Sequence, residues 1–174
     1  MDRQELLSAL QELDHELNSS CEVVLVGGAA MILQFGAMRA TGDIDFIILR
    51  GDIKELRHAI LQVAAQENLP PDWMTDAVKG FADILPNDFA KRLTRLEIGS
   101  RKLRVSVLGR ADQAAMKIVA LRERDLEDLE LLLPTMTNQD KQTLLTIMHH
   151  VATFRLDWAQ KIQYFLEEQG WNIN

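Results

Sequence analysis

The chain has 174 residues, 47% hydrophobic and 26% charged, with a formal net charge of -7; that suits one well-cored domain, or a core with a small helical extension, and excludes a disordered chain. The acidic balance does not mark a dedicated nucleic-acid binder, since phosphate attracts positive surface, although a local basic patch escapes that argument. The lone cysteine, Cys21, excludes an internal disulfide, fits a reducing compartment and cannot form a structural zinc site alone; none of the 4 histidines stands at ligand spacing with it.

The charged start, Met1-Asp2-Arg3-Gln4-Glu5, is unlike a signal peptide. No stretch approaches the ~18 consecutive apolar residues of a membrane span. The expected location is the cytoplasm, with no membrane partner. Leu6, Leu7, Leu10, Leu13 and Leu17 recur at helical steps and predict an amphipathic helix over 3–17, ended by Asn18-Ser19-Ser20. Glu22 to Val26 is a short β-rich run stopped by Gly27-Gly28, and Ala29 to Phe35 suits a short buried helix. Asp43 to Leu49 reads as a central strand, because it is almost continuously apolar after its acids. Asp52 is the expected N-cap of a helix reaching Glu67, with Ile53, Leu56, Ile60, Val63 and Ala64 on one stripe, before Pro70-Pro71 breaks the chain.

Trp73, Val78, Phe81 and Leu85 are expected to anchor the following segment. Leu93–Ile98 and Leu103–Leu108 read as two strands of a hairpin around Gly99-Ser100. Helices are predicted over 112–123 and 125–133, from a cap at Thr137 or Asn138 to Thr153, and over 157–169 up to Gly170. The order αβαβαβ(β), then helices, predicts an α/β (α+β) core with a small mixed sheet over 1–110 and a C-terminal helical part over 111–174.

The chemistry gathers at two places. In Asp43-Ile44-Asp45, residues two apart on a strand point to one face, at a rise of roughly 3.3 Å per residue. Two carboxylates placed together repel one another unless a cation joins them. Mg²⁺, or Mn²⁺, takes oxygen ligands and keeps positions for a substrate phosphate. Gly27-Gly28 follows a strand and opens a helix. Glycine lets the backbone approach an anion, and the helix start offers N–H groups and a positive dipole end. Together these parts are suited to positioning a triphosphate for in-line transfer.

Val24-Leu25-Val26-Gly27-Gly28-Ala29-Ala30, followed by Thr41-Gly42-Asp43-Ile44-Asp45-Phe46-Ile47, resembles the signature of the polymerase-β-like nucleotidyltransferase superfamily. Within it, the chain is most similar to small uncharacterised bacterial nucleotidyltransferases related to the AbiEii-type toxins of toxin–antitoxin systems. Asp72-Trp73, the strand at 103–108, and Lys117 with Arg122-Glu123-Arg124-Asp125-Leu126-Glu127-Asp128 agree, so the likeness covers about residues 20–133. The resemblance implies a metal-dependent enzyme that moves a nucleoside monophosphate from an NTP to a hydroxyl of RNA, such as tRNA, or of a protein, and that a cognate antitoxin could restrain. It implies that Asp43 and Asp45 are catalytic and ligate the metal. Gly27, Gly28, Thr41 and Lys117 would meet the nucleotide, and Asp125 and Asp128 would brace the site or the C-terminal helices.

Three departures from the pattern carry weight. The gap between Gly28 and Asp43 is at the long end. Gly28 stands where many active members have serine. The strand that usually bears a third acid carries Ser106, leaving Glu97 on the preceding strand as the alternative base or ligand. The alternative reading is therefore a catalytically degenerate fold that binds a nucleotide or a protein; a third is a scaffold whose C-terminal helices dimerise.

Other features have competing meanings. Lys117 could be a helix lysine whose stem packs on the core while its head reaches water. Arg122 to Asp128 could be a solvated helix junction with paired charges. Lys91, Arg92, Arg95, Arg101, Lys102, Arg104 and Arg110 form a locally basic stretch, suited to RNA phosphates or to guarding an edge strand. His149 and His150 point about 100° apart on a helix and do not converge on one metal. Trp158, Tyr164, Phe165 and Trp171 read as anchors of the last helix.

Overall fold

A computed structural model describes residues 1–76 and 83–171. The expected anchors Val78 and Phe81 lie outside the described residues. The chain divides into two compact units: Met1–Ala82 with Ala90–Leu108, and Asp83–Phe89 with Gly109–Asn174. Residues 83–89 thus belong with the helices that follow residue 109, which a division by chain order does not show. No helix among the described residues is long and apolar enough to cross a membrane.

The first unit contains α1 (Arg3–Glu16), β1 (Cys21–Val26), α2 (Gly27–Gln34), β2 (Ile44–Arg50), α3 (Ile53–Glu67), β3 (Met74–Thr75), β4 (Thr94–Arg95) and β5 (Leu103–Val107). The strands form one mixed sheet in the order β3-β2-β1-β5-β4. β1 is its centre, antiparallel to β2 and parallel to β5. One face carries Cys21, Val23, Leu25, Ile44, Phe46, Leu103, Val105 and Val107, all buried. α1 packs on α3 and against β5, and contributes Leu6, Leu10 and Leu13 to this core. Asp2 caps α1 by accepting from the Gln4 and Glu5 N–H groups, while Glu5 returns to the Asp2 N–H; Asp52 caps α3 through the Lys54 N–H.

Asp14 sits in the last turn of α1, where the helix dipole disfavours an acid. Its carboxylate accepts from the backbone N–H groups of Arg101, Lys102 and Leu103, at 2.6–3.1 Å, and so fastens the β4–β5 turn to the helix. Burial pushes its pKa up, but the Arg101, Leu103 and Lys102 N–H groups and the Lys102 charge outweigh it and hold the group below its ordinary 3.8. Trp73 is fully buried, and its indole N–H donates to the Ile60 carbonyl at 3.0 Å.

Boundaries differ from expectation in three places that bear on the site. β2 begins at Ile44, so Asp43 stands just before the strand rather than on it. α2 begins at Gly27 rather than Ala29. β4 spans only Thr94–Arg95, although the Leu96 N–H still donates to the Val105 carbonyl. Gly99, at φ +73°, makes the turn between the strands.

The second unit holds α4 (Arg110–Ala120), α5 (Glu123–Leu132), α6 (Asn138–Phe154) and α7 (Leu156–Glu168). Every residue from Ala111 to Val119 is buried, and α4 contacts each of the other three helices. Thr137 caps α6 with a reciprocal Asp140 interaction, and Gly170, at φ +70°, follows α7.

Candidate active site

The site begins where β1 ends. Val26 leads directly into α2 and offers no capping side chain to the start of this helix. Gly27 has φ +63°, a left-handed conformation that other residues adopt at a cost. A β-carbon on Gly27 would stand 3.0 Å from Asp45 Oδ2, so the carboxylate lies against the bare backbone of the turn. The β1–β2 register explains the approach: Asp45 is paired directly with Val26, the residue before Gly27.

Gly28 is enclosed in a different way. A β-carbon there would stand 2.8 Å from Thr41 Oγ1, 3.3 Å from Thr41 Cβ and 3.4 Å from Arg39 Nη1. The hydroxyl that position 28 lacks is thus present on Thr41, in the volume a side chain at residue 28 would fill. Thr41 is 8% exposed, and its hydroxyl donates to the Asp43 carbonyl at 3.2 Å and to Asp43 Oδ1 at 3.4 Å. Its own N–H donates to the Met1 carbonyl, which ties the approach to β2 to the start of α1.

Asp43 is exposed and Asp45 half-buried, one on either side of buried Ile44. The structure therefore gathers Gly27, Gly28, Thr41, Asp43 and Asp45 around the β1–α2 turn, within the first unit. Two all-oxygen side chains with open access fit a hard divalent cation that completes its shell from water and substrate phosphate. No group of three or more His, Cys, Asp or Glu among the described residues could hold a metal ion.

Among the described residues no third acid joins Asp43 and Asp45 in such a group. Glu97 is exposed and pairs with Arg95 at 3.7 Å; it does not join Asp43 and Asp45 in a cluster. Ser106 shares the sheet face of Asp45 but is paired with Val24, two strands and two residues from it, roughly 12 Å by ordinary sheet spacings. One residue past the last pair, Leu25 with Val107, brings buried Leu108 level with Val26.

Lys117, Asp125 and Asp128 belong to the second unit. The Lys117 ammonium lies 2.8 Å from Asp125 and 2.6 Å from Asp128, with all three side chains buried. Asp125 also accepts from the Arg122 N–H and so starts α5. The three residues form a closed ion cluster that joins α4 to α5.

Several residues of the basic stretch are engaged within the protein. Arg104 pairs with Glu22 at 2.7 Å, and the Lys102 ammonium donates to the carbonyls of His15 and Leu17 at the end of α1. Arg110 donates to Thr135. Sequence reasoning missed Arg39 and Asp14. Arg39 lies in the connection between two elements, and Asp14 reaches partners 87 to 89 positions away; neither belongs to a periodic pattern.

A glycine turn between strand and helix, with Asp43 just before the neighbouring strand and Asp45 within it, is the arrangement on which the resemblance to nucleotidyltransferases rests. Residues 4–166 match the family described as a nucleotidyltransferase of unknown function (DUF6036), and the chain belongs to that family. Comparison with curated proteins and with solved structures found no match.

Proposed function

We propose that the protein is a metal-dependent nucleotidyltransferase that moves a nucleoside monophosphate from an NTP to a hydroxyl of RNA or protein. The observation that carries this reading is the approach of Asp45 to the glycine turn: its Oδ2 stands 3.0 Å from where a β-carbon on Gly27 would lie, at the start of α2. A Mg²⁺ or Mn²⁺ held by Asp43 and Asp45 would neutralise charge on the transferred phosphate. The chain's own part is positional: Gly27 and Gly28 admit the phosphates to the α2 start, and Thr41 orients Asp43. Lys117, with Asp125 and Asp128, supports the helices in this reading. By resemblance to the AbiEii-type toxins, the acceptor would be RNA such as tRNA, and a neighbouring antitoxin would restrain the enzyme.

The test is transfer of α-labelled NTPs, one at a time, to an RNA pool or to protein, with and without Mg²⁺ or Mn²⁺. Wild type should transfer label only with metal, and Asp43→Asn or Asp45→Asn should abolish transfer. The two-carboxylate site favours one alternative, a nucleotide-binding module without turnover. That reading predicts a nucleotide-dependent rise in melting temperature and no transfer. If no NTP is transferred and none shifts the melting temperature, both readings fail.

A further inference from the structure

A triphosphate is strongly anionic, and the site that receives it needs a cation from the protein as well as from the metal. Lys117 is poorly placed to donate that charge, because two buried carboxylates already hold its ammonium. Arg39 stands at the turn itself: its Nη1 lies 3.4 Å from the point where a β-carbon on Gly28 would stand. The guanidinium therefore rests beside the glycine turn, on the side that any side chain of residue 28 would occupy. Thr41 shares that side and links it to Asp43. Arg39 is itself only half-buried, so an incoming anion can reach it.

We propose that Arg39 is the cation that grips the substrate's phosphates at the Gly27-Gly28 turn. The proposal rests on the nucleotide reading of the site. A guanidinium suits this duty because its planar fork gives two parallel hydrogen bonds to one phosphate. It also gives the long Gly28–Asp43 connection a purpose. The residues between α2 and β2 carry the cation to the turn, which a shorter link would not. The preference for glycine at position 28 follows as well, since a β-carbon there would stand 2.8 Å from Thr41 Oγ1, with Arg39 at contact distance beside it.

Magnesium tripolyphosphate is the probe, because it carries the phosphates without a base whose identity is unknown. Its affinity is measured by calorimetry for wild type, Arg39→Gln, Arg39→Lys and the control Arg57→Gln, an exposed α3 residue that pairs with Asp76. Circular dichroism and ligand-free melting establish that each variant is folded. Arg39→Gln should weaken binding about tenfold or more, and Arg39→Lys should recover part of the loss. Arg57→Gln should match wild type. The salt dependence should become shallower in Arg39→Gln alone, as expected when one phosphate contact is removed. If folded Arg39→Gln binds as wild type does, the proposal is overturned and the nucleotide site stands. If wild type binds neither tripolyphosphate nor any NTP, the site reading and this proposal fall together.

Discussion

Replacing Asp14 tests the architecture that holds the sheet to its first helix. The carboxylate is 6% exposed and receives three backbone N–H groups, from Arg101, Lys102 and Leu103. A hydrogen bond to a charged group contributes about 1.5–3 kcal/mol net, and the terms are not additive. Leu103 is fully buried, so water cannot readily replace the acceptor there. Arg101 is exposed and can be rehydrated. Asp14→Ala should therefore cost about 3 kcal/mol. Asp14→Asn, which keeps one acceptor oxygen, should cost about half of that. For a chain of this size, 3 kcal/mol lowers the melting temperature by about 6–12 °C. The pH dependence supplies a second reading. The folded carboxyl titrates below its ordinary 3.8, so the unfolded chain binds more protons than the folded one as the solution is acidified. The stabilisation is complete above the ordinary value and disappears as pH falls through the lower, folded one. Urea titrations of wild type and Asp14→Asn, from neutral pH down through this window, should show a gap that closes in acid. A gap that stays constant down to the acid limit, or a loss below about 0.5 kcal/mol in Asp14→Ala, would refute the reasoning.

Three other outcomes can be stated. Lys117→Met leaves two buried carboxylates without their counter-charge and should cost about 3–5 kcal/mol, read as a lower urea midpoint with an unchanged slope. Gly27→Ala places a β-carbon 3.0 Å from Asp45 Oδ2 at φ +63°; about 1–2 kcal/mol of strain is expected, together with loss of any Mg²⁺-dependent nucleotide stabilisation in a melting assay. Cys21 is buried, and burial foremost, with the charges of Glu55 and Glu22, pushes its pKa to about 11. Alkylation by iodoacetamide at neutral pH should therefore follow unfolding, with modification in urea and very little in the native protein.

The fold was legible in the sequence wherever a pattern was local. The leucines of α1, the caps at Asp52 and Thr137, and the apolar strand after Asp43 each depend on neighbours within a turn or two. The candidate site was legible in the same sense. A glycine pair at a strand end and two carboxylates at alternate positions form short motifs, and the β1–β2 register sets Asp45 beside the Gly27 turn. What escaped was decided by partners distant in the chain. Lys117 reads as a polar helix position, and only the packing of α4 and α5 buries it between two acids. Glu97 fell on a predicted strand, but the ladder shortens to Thr94–Arg95 and leaves it exposed. Arg39 belongs to no motif by itself; its meaning comes from the space above Gly28.

The central position of β1 governs how motion is distributed around the site. Its backbone is laddered on both edges, to β2 and to β5. Such a strand opens only with the larger cooperative unit around it, so its amide protons should be among the slowest to exchange in the first unit. The glycine turn begins at the next residue, beyond the end of the ladder. A steep step in exchange rate is therefore built in between Val26 and the glycines. The ligand-facing backbone inherits a nearly immobile base and can still adjust its own amides to a phosphate.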